Sequence, residues 1–173
     1  MAERLLLGEE FKSSRNAHDW LGHGVYFWEA NPKRGLSFAK EALARSKKKE
    51  KPTVVGAVID LGHCLDMTTE MGITMLRLAY DSLKLNMEEV SQQMPVNSKD
   101  MLKRPLDCAV FEFTHQIVEA GGQQPFDTVR GVFVEGGEAF PGSGFPEKTH
   151  IQIAVRKPDS IKGVFRVPRH HLS

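Results

Sequence analysis

Residues 20–28, Trp20-Leu21-Gly22-His23-Gly24-Val25-Tyr26-Phe27-Trp28, carry the sharpest local signal in the chain. Glycines at 22 and 24 permit backbone conformations that other residues avoid, and the β-branched and aromatic run behind them favours extended backbone. A tight turn entering a short strand is predicted. Just downstream, Asn31 offers a capping side chain. Pro32 follows at a position where its missing N–H costs nothing. Leu36, Ala39 and Leu43 recur at helical spacing, so a helix is predicted from 32 to about 49. Its basic end (Arg45-Ser46-Lys47-Lys48-Lys49-Glu50-Lys51) suits the negative pole of the macrodipole. Upstream, MAERLLLGEEF reads as a helix with Gly8 as its terminator, followed by a polar stretch, 12–19.

Further along, Pro52 breaks the helix, and Thr53 to Leu61 (TVVGAVIDL) is a β-branched run that predicts a buried central strand. Thr68 and Thr69 cap a helix expected to reach about Lys84. Residues 86–103 are weakly patterned, with a short helix expected at 86–93. Pro105 starts another helix, with Leu106, Ala109, Val110, Phe113 and Ile117 at spacings of three and four, ending at Gly121-Gly122. Residues 129–135, 150–155 and 161–167 alternate like strands. A loop rich in glycine and proline, 136–147, separates the first two. The order helix, strand, helix, strand, helix, helix and then three strands predicts an α+β domain spanning 1–173, not a regular βαβ alternation.

The 173 residues carry a formal net charge of +1, so no global field draws the chain to nucleic acid or an anionic membrane. Two cysteines, Cys64 and Cys108, are too few for a disulfide framework and lack metal-ligand spacing, which suits a reduced, cytoplasmic setting. Both read as small apolar residues. No apolar run is long enough to span a bilayer, and no signal peptide is expected. Neither a P-loop, a G-x-G-x-x-G, a G-x-S-x-G nor an H-E-x-x-H occurs. The His170-His171 pair reads as solvated tail, and the lysine cluster as a solvated helix end or a phosphate contact.

Two segments are candidates for chemistry. Around Gly22, His23, Gly24, Tyr26 and Phe27, glycine lets backbone approach a planar ligand, and Tyr26 with Phe38 could sandwich an aromatic ring. By spacing alone, however, a glycine turn with core aromatics explains the same residues. In the second, His150 and Gln152 share one face of a strand whose other face carries Ile151 and Ile153. An exposed sheet face accounts for that pair equally well. The long loop before it is where binding groups often lie, and 136–147 is expected to be mobile and to gate the site.

Gly22-His23-Gly24-Val25-Tyr26-Phe27 resembles the G-x-G-I-Y-F signature of the poly(ADP-ribose) polymerase-like ADP-ribosyltransferases. The stretch from Asp19 to Trp28 also resembles small bacterial proteins of that fold. Phe38 matches the family's second aromatic with a one-residue insertion. The strand-like run 54–59 is similar to the strand that follows, and Gln152 to Pro158 resembles the segment bearing the family's catalytic glutamate. The resemblance implies a split mixed β core flanked by helices and NAD as co-substrate, with no metal. Gln152 and Tyr26 would be catalytic, and Gly24, Tyr26, Phe27, Phe38, His23 and His150 would bind NAD, with His150 and Glu147 near the acceptor. The implied activity is mono-ADP-ribosyl transfer to a protein or nucleic-acid acceptor, away from any membrane. The alternative is an inactive or truncated member that binds a nucleotide or a partner.

Two departures qualify the resemblance. The family's first strand, with its His-Gly-Thr, has no counterpart here, since the only histidines before the block's tyrosine are His18 and His23. The expected consequence is an open sheet edge beside residues 53–61, covered by self-association or by another part of the chain. Second, the catalytic glutamate is replaced by Gln152, which keeps a hydrogen bond but supplies no charge. Such electrostatic stabilisation is commonly worth roughly 3–4 kcal/mol, so chain elongation is not expected.

Overall fold

A computed structural model describes residues 2–47 and 50–172. Its elements in chain order are α1 (Ala2–Leu6), β1 (Val25–Trp28), α2 (Pro32–Ser46), β2 (Val55–Ile59), β3 (Cys64–Asp66), α3 (Glu70–Glu89), α4 (Pro105–Ala120), β4 (Thr128–Phe133), β5 (His150–Val155) and β6 (Ile161–Arg166). Four strands form one sheet in the order β1-β5-β4-β3, while β2 and β6 form a separate two-stranded sheet. Every pair is antiparallel except β3 with β4. The protein is a mixed α+β structure, as the order of helices and strands implies.

Local chemistry sets most boundaries. The Asn31 side chain accepts the Arg34 N–H at 3.0 Å to open α2, and Thr69 accepts the Gly72 N–H at 3.0 Å to open α3. Residue 47 turns left-handed at the end of α2. The helix expected to about 49 therefore stops at Ser46, and residues 48 and 49, with the middle of the lysine cluster, lie outside the described residues. At the N-terminus the helix is only five residues long, and Gly8 follows at φ 95°. α3 runs unbroken to Glu89, so the short helix expected at 86–93 is largely its last turn. β3 is too short to show a period, and nothing in Cys64-Leu65-Asp66 announces it.

The four-stranded sheet is covered on both faces. On one, Leu65, Val129, Phe133 and Ala154 pack with Leu21, Phe126 and the α4 residues Phe111 and Val118. On the other, Val25, Ile153 and Val155 pack against Phe11, Phe27 and the second sheet's Ile59 and Ile161. The expected buried central strand, 53–61, is a correction. β2 pairs only with β6, and Val58 is 57% exposed. Its β-branched residues serve one packed face; the apolar run that resembled a doubly covered strand is the edge of a small sheet. The Phe165 ring lies over Gly56, its cross-strand partner, and shields the exposed glycine backbone. Among the described residues, no helix is long and apolar enough to cross a membrane.

The first turn of α3 packs so closely on the end of β3 that a Cβ at Gly72 would overlap the Asp66 carbonyl oxygen. Helix propensity favours alanine over glycine by about 1 kcal/mol, and here that order should invert. Gly72→Ala is expected to lower stability by about 1–3 kcal/mol in urea titrations, through displaced backbone. A raised midpoint would show that α3 does not rest on Asp66.

Candidate functional site

The antiparallel register of β1 on β5 pairs Trp28 with Gln152, and β4 places Gly131 on the other side of the same glutamine. Residues 150, 152 and 154 share a face, and Ala154 lies in the helix-covered core. His150 and Gln152 therefore lie further along that same face. There the Phe38 ring, from α2, lies 4.9 Å from Trp28 at 45°. Phe38 is 41% exposed. The aromatic pair at this end is thus Trp28 with Phe38, and Tyr26 sits two residues earlier on the same face of β1.

Polar groups converge on this corner. The His150 side chain is fully buried, its Nδ1 2.7 Å from the Lys148 carbonyl oxygen. The Gln152 amide nitrogen lies 2.8 Å from His150 Nε2. Arg34, from α2, donates to Glu135 Oε2 at 2.9 Å, and the same oxygen lies 3.7 Å from His150 Nδ1. Trp28 Nε1 and Arg34 Nε are buried N–H donors with no protein hydrogen-bond partner. Both donors are sealed from solvent, whereas Gln152 at this corner is partly exposed. Arg34, Glu135 and Trp28 carry no sequence motif, although the period-2 alternation of β1 does put Trp28 on the face of Tyr26.

Tyr26 has a second task. Its hydroxyl donates to the Gly22 carbonyl at 2.6 Å and accepts the Leu21 N–H at 2.8 Å. These bonds close the turn, in which Gly22 adopts φ +76°. Burial raises the Tyr26 pKa well above its ordinary 10.0, so the hydroxyl stays protonated. Gly24 meets a packing need, since a Cβ there would sit 2.9 Å from the Val155 carbonyl oxygen. Phe27 points to the opposite face and packs edge-on against Phe11 at 5.2 Å.

His23 lies at the other end of β1. Its N–H donates to Glu112 Oε1 at 2.7 Å, and its Nδ1 is 3.1 Å from Glu112 Oε2. This clamp borders a concavity of about 660 Å³, bounded also by Arg15, Glu119, Asp127 and Arg156. Its charges are largely paired, Arg156 with Glu119 at 3.6 Å and Lys157 with Asp127 at 3.5 Å. The sequence-derived residues are thus divided. Gln152, His150, Phe38 and the ring of Tyr26 share one face, His23 and Gly24 lie at the far end of β1, and Phe27 is on the other face. Glu147 stands at the end of a loop whose strands bond to each other, Ala139 N–H to Phe145 O at 2.9 Å and Glu147 N–H to Gly137 O at 2.9 Å.

Near the concavity beside His23, His115 on α4 is 2% exposed, with neither ring nitrogen bonded. Burial, reinforced by Arg156 and His23, pushes its pKa down to about 3 from an ordinary 6.5. The folded protein keeps this ring neutral, whereas the unfolded chain takes up a proton below about pH 6.5. The resulting stability is fully present above that pH and is lost as pH falls toward about 3. The slope is at most about 1.4 kcal/mol per pH unit. His115→Phe should therefore flatten the stability profile between about pH 6 and about pH 4 by up to that slope. A parallel profile would mean the ring is already solvated.

Tyr26→Phe should cost about 1–3 kcal/mol, because it strips partners from a buried turn. An unchanged urea midpoint would show that water replaces the hydroxyl.

Comparison with known proteins found no matching family model, no matching characterised protein and no matching solved structure.

Proposed function

We propose that the chain has the split β core of the ADP-ribosyltransferase fold and transfers a single ADP-ribose from NAD to a macromolecular acceptor, using the corner around Gln152. The observation that carries this reading is the pairing of Gln152 with Trp28 across β1 and β5, beneath the Trp28–Phe38 aromatic pair. The resemblance in sequence aligns Gln152 with the residue that faces the reacting ribose. The division into a four-stranded and a two-stranded sheet is compatible with a split core.

The residues present suit a dinucleotide. Arg34 brings a guanidinium to this corner beside Glu135, and a diphosphate is an anion that guanidinium groups recognise. Phe38, with Trp28 behind it and Tyr26 on the same face, provides aromatic surface for the nicotinamide ring. NAD supplies an N-glycosidic bond whose cleavage builds positive charge on the ribose while the bonding pair leaves with nicotinamide. Gln152 accepts a hydrogen bond from a ribose hydroxyl but adds no charge, so transfer by this chain is slow and stops at one unit. The Glu135 carboxylate, 3.7 Å from His150 Nδ1, is held by Arg34.

The second reading, a domain that binds a nucleotide without turnover, is favoured by one observation, the neutral amide at residue 152. Calorimetry with NAD at millimolar concentration, followed by labelled NAD with cell lysate, separates the two. Under the proposal, wild type binds and labels. Gln152→Glu labels about 100-fold faster, and Phe38→Ala binds several-fold more weakly. Binding without labelling by wild type and Gln152→Glu alike would support the non-catalytic reading. No heat with NAD would overturn both.

A further inference from the structure

We infer that His150 is a positioning residue, which fixes the Gln152 amide so that its carbonyl oxygen, not its NH2 group, faces the ligand. The inference rests on the reading of Gln152 as the ribose-facing residue, and it starts from the backbone. A carbonyl oxygen can only accept, so the 2.7 Å contact between His150 Nδ1 and the Lys148 oxygen requires a proton on Nδ1. A neutral imidazole with that proton has only a lone pair at Nε2. The Gln152 amide group lying 2.8 Å away must then donate, which assigns its nitrogen to the histidine and turns Oε1 outward. Gln152 is half-buried, and its Oε1 takes no hydrogen bond from the protein.

The surroundings hold the ring in place. The His150 side chain is fully buried, and the Phe133 ring lies 5.9 Å away, tilted by 30°. Glu135, the one carboxylate near Nδ1, is engaged by Arg34 at 2.9 Å. With no second partner recorded for Nε2, the amide is the group that satisfies it. The consequence is specific to glutamine. A free amide presents donor and acceptor interchangeably, whereas a carboxylate only accepts. By taking the donor end, His150 leaves an oxygen where a carboxylate's would be, able to accept a ribose hydroxyl.

Two sets of measurements test this. In the protein without NAD, long-range proton–nitrogen correlation spectra should show His150 as the Nδ1-H tautomer, with one Gln152 amide proton protected from exchange. An Nε2-H tautomer, or freely exchanging Gln152 amide protons, would overturn the inference whatever the activity. In the NAD assay, His150→Phe should lower kcat about tenfold with KM for NAD little changed, because one oriented hydrogen bond is lost. His150→Gln, which can still accept from the amide, should recover most of that loss. Should His150→Phe keep full kcat, or His150→Gln be as slow as His150→Phe despite equal thermal stability, the positioning role is wrong. If wild type neither binds nor cleaves NAD, the ribose-facing reading falls, and with it the role assigned to Oε1; the spectra then report only the amide's orientation.

Discussion

The antiparallel register between β1 and β5 is the constraint from which the rest of the structure follows. By pairing Val25 with Val155 and Trp28 with Gln152, it sends alternate residues of both strands into two different cores. A slip of one residue would reverse every side chain and bury His150 and Gln152 in the apolar layer that Ile153 and Val155 share with the small sheet. The register is protected at its start, where Gly24 allows the Val155 carbonyl to approach, and by Tyr26, whose hydroxyl closes the preceding turn. It is also clamped across the sheet. Arg130 on β4 reaches Glu29 at 2.6 Å just beyond β1 and Asp66 at 3.2 Å on β3, tying both edges of the sheet to its middle. This ion pair, partly shielded from water, raises the Arg130 pKa well above its ordinary value through hydrogen bonding to Glu29, against the opposing effect of burial.

Elements with a local cause were legible in the sequence. The Asn31-Pro32 and Thr69 starts, the Pro105 helix and the strands β1, β4, β5 and β6 depend on capping groups or on side-chain period, which a short window contains. What could not be read depends on distant partners. β3 exists because β4 lies beside it, and three residues cannot display a pattern. The TVVGAVIDL run was dense enough in β-branched residues to suggest burial on both faces. Density does not say whether a second strand arrives, and none pairs with its other edge among the described residues.

The candidate site shows the same division. Gln152, His150 and Phe38 were identified from face alternation and from resemblance, and they do share one face. Phe38, however, rests on Trp28, and His23 belongs to a separate clamp with Glu112 on α4. Arg34 and Glu135, 101 positions apart, meet only in the folded chain and could not be paired from the sequence. Tyr26 carries both a resemblance to a ligand-binding residue and a clear architectural duty, so its loss would disturb fold and site together.

The same register has a consequence for how the protein comes into being. The helices α2, α3 and α4 all lie between β1 and β5 in the chain, and β4, the strand that joins β5 to β3, follows them. The helices α2, α3 and α4 close on local contacts and can form while the chain is still growing. The sheet that they cover must wait until β5 has followed them, because the entropy of closing so long a loop is recovered only when β5 docks. Until then the apolar sides of Val25, Phe27 and the α4 residues face solvent. The corner around Gln152, made where β1 meets β5, is therefore among the last parts of the molecule to exist.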